Sequence, residues 1–375
     1  MSVLRVFRKS NSLKEQTVFA SRRSRVLPLL SENKDAMAEA FLTTALPNVR
    51  YLTGFTGSNG ALLITPLRSI LFTDPRYRTQ SAQQADCDIR IGKGPLAKEV
   101  SSKVKRLHLK SVAIELNRLS FEDHQQLLEL LPGVDLKPVS GLVETLRMVK
   151  SPDEIATIRA SVSLNSAAFE QALSRFKPNM SEIDLAAEID YRMRLLGADG
   201  NAFETIVASG RRSALPHAHP TAHPINRNEL LLIDMGSTVA GYASDMTRTC
   251  VVGKAGTKIR RMYKAVLDSQ LTALDLLKPG IACGKVDRAV RDVLRGYGFD
   301  KLFMHSTGHG LGLEIHERPR LGRKEAVKLE AGMTITIEPG VYEETTGGIR
   351  IEDTVLITEQ GCEVLTPTKK DLVVL

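Results

Sequence analysis

The 375-residue sequence predicts an α+β protein of two domains. Three observations lead there. The chain is longer than one hydrophobic core commonly fills. The alternation of short apolar and helix-like stretches changes character near residue 150. Beyond that point the order helix, helix, strand hairpin occurs twice, which predicts a domain built as an internal duplication of two pseudo-equivalent halves. Hydrophobic residues make up 42% and charged residues 25%, as in ordinary folded chains, and no apolar run nears the ~20 residues of a membrane-spanning helix.

The formal charge of +8 hints at nucleic acid until it is located along the chain. Residues 1–30 hold seven Lys or Arg (Arg5, Arg8, Lys9, Lys14, Arg22, Arg23, Arg25) against Glu15, a local charge of +6 that leaves +2 for the other 345 residues. Residues 1–20 therefore read as a basic, flexible, solvated leader rather than a nucleic-acid arm. The leader lacks the apolar core of a secretory signal and only faintly resembles an organelle transit peptide, so the expected location is cytoplasmic. Cys87, Cys250, Cys283 and Cys362 are scattered and form no CxxC pair, which points to reduced, inert thiols.

Residues 21–148 form the first domain, of α/β type. VRYLTGF, ALLIT, SILFTD and SVAIEL read as apolar extended stretches, alternating with helical ones after Arg76 and at FEDHQQLLELL. Gly54, Gly57 and Gly60 form a glycine-rich turn without the GKS/T of a phosphate loop, hence a tight bend. The second domain spans 149–375. Ser151-Pro152-Asp153-Glu154 is a helix start with N-cap, first-turn proline and capping glutamate, and that helix should run to about Phe176, before Lys177-Pro178. Ser181 to Asp184 repeats the capping pattern, with Gly197 as a left-handed stop. Two further helices are predicted over about 257–277 and 284–295, stopped by Pro279-Gly280 and near Gly296. The extended segments are ELLLIDMG, YASDMTRTCVV, MTITIEPGVY and GIRIEDTVLIT.

Acids in these segments carry the chemistry. Asp234 and Asp245 mirror each other about a turn centred between Val239 and Ala240, so a simple hairpin sets them face to face. Glu338 and Glu352 mirror each other about Thr345. Opposed like charges destabilise a sheet, and apolar flanks such as LLLID and ITIEP imply burial, so something positive must lie between them. Ion pairing with Arg248 or Arg350 would answer for a single acid. Two mirrored pairs at −4 are better matched by two divalent cations at +4. Six of the eight histidines fall between 217 and 316. His309, in Ser306-Thr307-Gly308-His309-Gly310, is the best candidate ligand, its small neighbours allowing close approach of a ligand or substrate. Four carboxylates and one imidazole make a hard, oxygen-rich set that favours Mn2+ while admitting Co2+, Zn2+ or Fe2+.

IDMGSTVAGYASDMTRT, HSTGHGLGLEIHERP, TIEPGVY and GGIRIEDTV closely resemble the signatures of the proline-specific metallopeptidases related to creatinase and methionine aminopeptidase. NVRYLTGFTGSNGALLIT and FTDPRYRTQ resemble the N-terminal domain of Xaa-Pro aminopeptidases and prolidases, so the resemblance runs from about residue 21 to the end. It implies a pita-bread catalytic domain with pseudo-twofold duplication behind a creatinase-like α/β domain. It also implies two metals held by Asp234, Asp245, His309, Glu338 and Glu352, and a homodimer. The implied reaction is hydrolysis of the bond between a first residue and proline in peptides or dipeptides, by a water shared between the metals. Glu338 then acts as the base, and His316 meets the scissile carbonyl region. His217 lines the substrate site, and Arg320 resembles an arginine that binds a dipeptide carboxylate; Arg350, two residues before Glu352 and so on the same face of a regular strand, would orient ligands. His219, His223 and His305 have weaker claims. Two rivals share the fold: metal-free creatinase-type chemistry and a non-catalytic binding protein. Relatives of both kinds usually lose ligands that are complete here. No nucleic-acid or membrane partner is expected.

Overall fold

The computed structural model describes residues 12–32, 36–177 and 179–375. The chain divides between Arg147 and Met148 into two units. The first holds a six-stranded mixed sheet in the order Asp88–Ile91, Ser69–Thr73, Ala61–Ile64, Ala40–Thr43, Ser111–Glu115, Asp135–Val139. Its inner strands AFLT and ALLI are buried at every position, which is why they read as unbroken apolar runs. Helices Leu96–Arg106 and Phe121–Leu130 cover one face through Val100, Val104 and Leu127.

Two expectations for this unit are corrected. VRYLT is not extended but ends the helix Leu46–Thr53; Pro47 in the first turn and Gly54 at φ 78° after the last outweigh the β-leaning Val and Tyr. The flexible leader also gives way early: Ser12–Ser24 is helical, and residues 1–11 lie outside the described residues. Arg22 and Arg23 are buried rather than solvated. Their guanidinium groups donate to the carbonyls of Tyr51 and Leu52 at 3.0 and 2.8 Å, at a helix end whose carbonyls lack helical partners.

The second unit shows the duplication. Helices Pro152–Leu173 and Glu182–Leu195 pack Phe169, Leu185 and Ile189 against Leu231 and Ile233 of a three-stranded antiparallel sheet: Met246–Val252, Glu229–Met235, Ile206–Ser209. Helices Thr257–Leu276 and Cys283–Tyr297 pack Met262, Val266, Val286 and Val290 against Ile335 and Val355 of a five-stranded sheet. Its order is Glu317–Leu321, Gly308–Gly310, Thr334–Ile337, Asp353–Ile357, Cys362–Val364. Both expected capping boxes form, at Ser151/Glu154 and Ser181/Asp184. The first of the four helices stops at Leu173, short of Phe176, and Pro178 lies outside the described residues. The last runs through Gly296 to Tyr297 because Gly298, at φ 79°, supplies the left-handed cap.

Candidate metal centre

The first ribbon is not the simple hairpin expected. Its register pairs Asp234 with Thr247, and the partners Val239 and Tyr242 bracket a two-residue turn, Ala240-Gly241. Both turn residues have positive φ, 44° and 74°, as a type I′ hairpin requires. The turn centre expected from the sequence would have forced that conformation on β-branched Val239. Asp234 and Asp245 are therefore diagonal neighbours rather than directly opposed, a spacing of roughly 7–8 Å between Cα atoms that leaves room for an ion. The second ribbon keeps the expected register: Ile337 pairs with Asp353 and Gly340 with Arg350, so Glu338 lies opposite Glu352. The ribbons are stitched together where Glu352 N donates to Thr247 O at 3.1 Å and Thr354 Oγ1 to Asp245 O at 2.8 Å.

Asp245, His309 and Glu352 each offer a donor atom within 4.8 Å of the others. His309 Nε2 lies 3.6 Å from Asp245 Oδ2 and 3.4 Å from Glu338 Oε1. The far side of its ring fixes the tautomer. Nδ1 contacts the Gly310 carbonyl at 3.0 Å, which can only accept, so Nδ1 carries the proton. Burial first, and His316 second, hold its pKa down to about 4, so the ring is neutral and Nε2 presents a bare lone pair. A lone pair facing two ionised carboxylate oxygens is repulsive, and either a proton on the acids or a cation among them relieves it.

The acids repeat the point. Asp245, Glu352 and Asp234 are buried at 5%, 2% and 9% exposure. Burial, then Glu352, Asp234 and Glu338, push the Asp245 carboxyl well above the usual range, and burial, then Glu338 and Asp234, do the same to Glu352. Glu338 is pushed up to about 8 by burial, with Arg350 pulling it down and Asp234 adding to the rise. Arg350 Nη2 donates to Asp234 Oδ2 at 2.6 Å, so ion pairing answers for one acid of the four. Arg248 points elsewhere, to Asp353 and to backbone carbonyls. Among the described residues no Lys or Arg pairs with Asp245, Glu338 or Glu352, and Asp234 Oδ1 is buried without a hydrogen-bond partner. Hard oxygen donors, one bare imidazole nitrogen and an orphaned carboxylate oxygen fit divalent cations.

The remaining candidates sort by position. The His316 ring packs edge-on to His309 at 4.4 Å between centroids; burial first, then His217, lowers the pKa of His316, and burial first, then Arg350, with a smaller part from His217, lowers that of His305. Both His217 and His316 are exposed. Arg320 is the cross-strand partner of His309 and is exposed too. His219 pairs with Glu204 at the surface, and His223 is an exposed loop residue. His305 is closer in than its weak claim suggested. Its Nδ1 donates to Ser306 O and its Nε2 accepts from Tyr342 Oη at 2.8 Å, while Tyr342 accepts from Arg350 Nη1 at 2.7 Å.

Tyr342 and Thr247 were missed from the sequence. Thr247 donates to Glu352 Oε2 at 2.7 Å and accepts from Arg350 Nε at 3.0 Å. The available signal was spacing: Thr247 lies two residues after Asp245, and so on the same face of a strand. The glycines beside His309 serve a different purpose from the one expected. A Cβ on Gly308 would lie 2.0 Å from Thr336 O, and one on Gly310 2.2 Å from Arg318 O, so they admit neighbouring strands rather than a ligand.

Among the described residues no helix is long and apolar enough to cross a membrane. Residues 156–359 match metallopeptidase family M24, and residues 22–149 match the creatinase/prolidase N-terminal domain. A Xaa-Pro dipeptidase of Pyrococcus horikoshii is 36% identical over 337 residues, covering 89% of this chain and 94% of that protein. The solved Xaa-Pro dipeptidase from Bacillus anthracis superposes with a TM-score of 0.92 at 36% identity, over 95% of this chain and 100% of that one. The X-Pro aminopeptidase from Thermotoga maritima gives 0.86 at 34% identity, over 94% and 100%. With two diagonal aspartates, two facing glutamates and a bare imidazole nitrogen on a duplicated helix-and-sheet frame, the chain belongs to metallopeptidase family M24 and carries the N-terminal domain of creatinases and prolidases.

Proposed function

We propose that this protein is a dinuclear metallopeptidase that cleaves the bond between an N-terminal residue and proline, acting as a Xaa-Pro dipeptidase. The observation that carries the reading is the His309 Nε2 lone pair set against Asp245 and Glu338 beside Glu352, a buried grouping that divalent cations would satisfy. The relatives named above as Xaa-Pro dipeptidases support the substrate class.

Asp234, Asp245, His309, Glu338 and Glu352 would hold two divalent ions, Mn2+ being favoured by the oxygen-rich set over Co2+, Zn2+ or Fe2+. When bound, such ions supply Lewis acidity and make water nucleophilic at neutral pH. Four carboxylates at −4, Arg350 at +1 and two dications at +4 sum to +1, which faces the negative charge that develops on the substrate carbonyl oxygen. Glu338 takes the proton from the attacking water and passes it to the proline nitrogen, which departs as a secondary amine. His316 donates to the carbonyl region and His217 positions the bond. Arg350 and Thr247 hold Asp234 and Glu352 in place. Arg320, the cross-strand partner of His309 and so on the same face of the sheet, would receive the carboxylate of a dipeptide. The Xaa-Pro amide has no N–H, so recognition cannot rely on that donor. The family resemblance supports a homodimer, and buried free thiols at Cys250 and Cys283 suit the reducing cytoplasm.

The test compares release of alanine from Ala-Pro and Ala-Pro-Ala by protein loaded with Mn2+ and by chelated protein. Metal-dependent turnover of Ala-Pro, with the tripeptide at least about tenfold slower, is expected. Turnover of neither favours the binding-protein reading, and faster release from the tripeptide makes the enzyme an aminopeptidase. Glu338→Gln should lower turnover by about 10²–10⁴-fold, the usual worth of a general base, in a folded protein.

A further inference from the structure

The loop that carries His217 is closed by a single buried side chain that plays no part in the site. Glu182, the first residue of helix Glu182–Leu195, has 0% of its surface exposed. Its Oε1 accepts from Ser209 N at 2.8 Å, Ser209 Oγ at 3.1 Å and Arg212 Nε at 3.2 Å. Its Oε2 accepts from Arg212 Nε at 3.0 Å, Thr221 N at 3.1 Å and Thr221 Oγ1 at 2.8 Å. Ser209 and Thr221 are the two ends of the loop, so one carboxylate ties the chain where it leaves strand Ile206–Ser209 and where it returns.

The rest of the loop is braced from the same anchor. Arg212 Nη2 donates to His219 O at 2.7 Å, carrying the restraint from Glu182 to the residue two after His217. On the site side, Pro216 O accepts from Arg350 Nη1 at 3.3 Å, and Ser213 Oγ accepts from Gly348 N at 2.8 Å. The helix joins in through its free N-terminal donors, Glu182 N to His223 O and Ile183 N to Thr221 O, both at 3.1 Å. His217 itself is exposed, so the orientation of its ring depends on these backbone tethers.

We propose that Glu182 is a positioning residue, a clasp that holds the loop 209–221 so that His217 is presented to substrate at the metal centre. The inference rests on the reading of His217 as a substrate contact. A glutamine at 182 keeps the shape but replaces one acceptor oxygen with an NH2 that faces donors, so one end of the loop must come free. Thr221→Val removes one hydroxyl donor at little change in shape, whereas Thr221→Ser keeps it.

Two measurements test the clasp. Amide hydrogen exchange in residues 210–220 should accelerate at least about tenfold in Glu182→Gln and in Thr221→Val, with Thr221→Ser restoring protection. This readout needs no activity, so it stands if the peptidase reading fails. In the Ala-Pro assay, Glu182→Gln should lower kcat/KM about tenfold or more in the wild-type background and by less than about twofold beside His217→Ala, because the two changes act through one group. Unchanged exchange in the loop overturns the clasp. An equal loss of kcat/KM in both backgrounds overturns its link to His217. If Glu182→Gln does not fold, Thr221→Val and its serine rescue decide the same two points.

Discussion

His309 shows how much one side chain can settle. Its proton is fixed on Nδ1 by a carbonyl, its burial keeps it neutral, and its free nitrogen faces carboxylate oxygens at 3.4 and 3.6 Å. This residue and the four acids stand out in the sequence as candidates, because acids between apolar neighbours have few ways to be tolerated. Tyr342 and Thr247 do not, since a hydroxyl in an apolar strand reads as ordinary until its partner is known. His305 was undervalued because nothing local in the sequence brings Tyr342 to it.

The titration of these groups gives a signed expectation. In the metal-free protein Glu338 stands at about 8 against an ordinary 4.5, so its contribution to stability is complete below 4.5 and is lost as pH rises through 8. His309, lowered from 6.5 to about 4, works in the opposite sense, but its contribution is fully present above 6.5. Between pH 6.5 and 8 the carboxylates therefore dominate. Glu115 in the first unit, pushed up to about 7 by burial, adds a loss that is complete near pH 7 and that metal does not touch. Melting temperatures taken by calorimetry across pH 6.5–8 should fall for the metal-free protein. Saturating Mn2+ should raise them by an increment that grows with pH, since ionised acids bind the cation. An increment that shrinks toward pH 8 would contradict this.

At the scale of elements, helices and strands were read more securely than turns. Capping boxes, Pro-Gly stops and β-branched runs gave the four helices of the catalytic unit and its strands, because these signals are local. The register of the first ribbon was misread by one residue at the turn centre, since mirror symmetry in a sequence says nothing of which residues tolerate positive φ. Gly241 does, and so the turn moved onto it. Strand packing makes a further expectation about His309. Gly308→Ala would drive a Cβ into the Thr336 carbonyl and push apart strands Gly308–Gly310 and Thr334–Ile337. The variant should bind Mn2+ about 10–100-fold more weakly by titration calorimetry, the usual range when support around a ligand is lost. Binding within twofold of wild type would show that the strand yields without moving His309.

Across the whole molecule, the duplication accounts for why acids from distant parts of the chain meet. Each half brings a helix pair and a sheet, and each sheet contributes two carboxylates where its ribbon bends. Direct links such as Thr354 Oγ1 to Asp245 O and Arg350 N to Thr249 Oγ1 join the ribbons, so neither half forms the site alone. This pairing was legible as a repeated order of elements; its diagonal geometry was not, because it depends on the turn. The most direct test is a count of bound Mn2+ per chain by equilibrium titration of chelated protein, together with anomalous diffraction from the loaded crystal. Two ions per chain among Asp234, Asp245, His309, Glu338 and Glu352 are expected, with at least one lost in Asp245→Ala. A folded protein that takes up no dication at these side chains would contradict the proposal at its root.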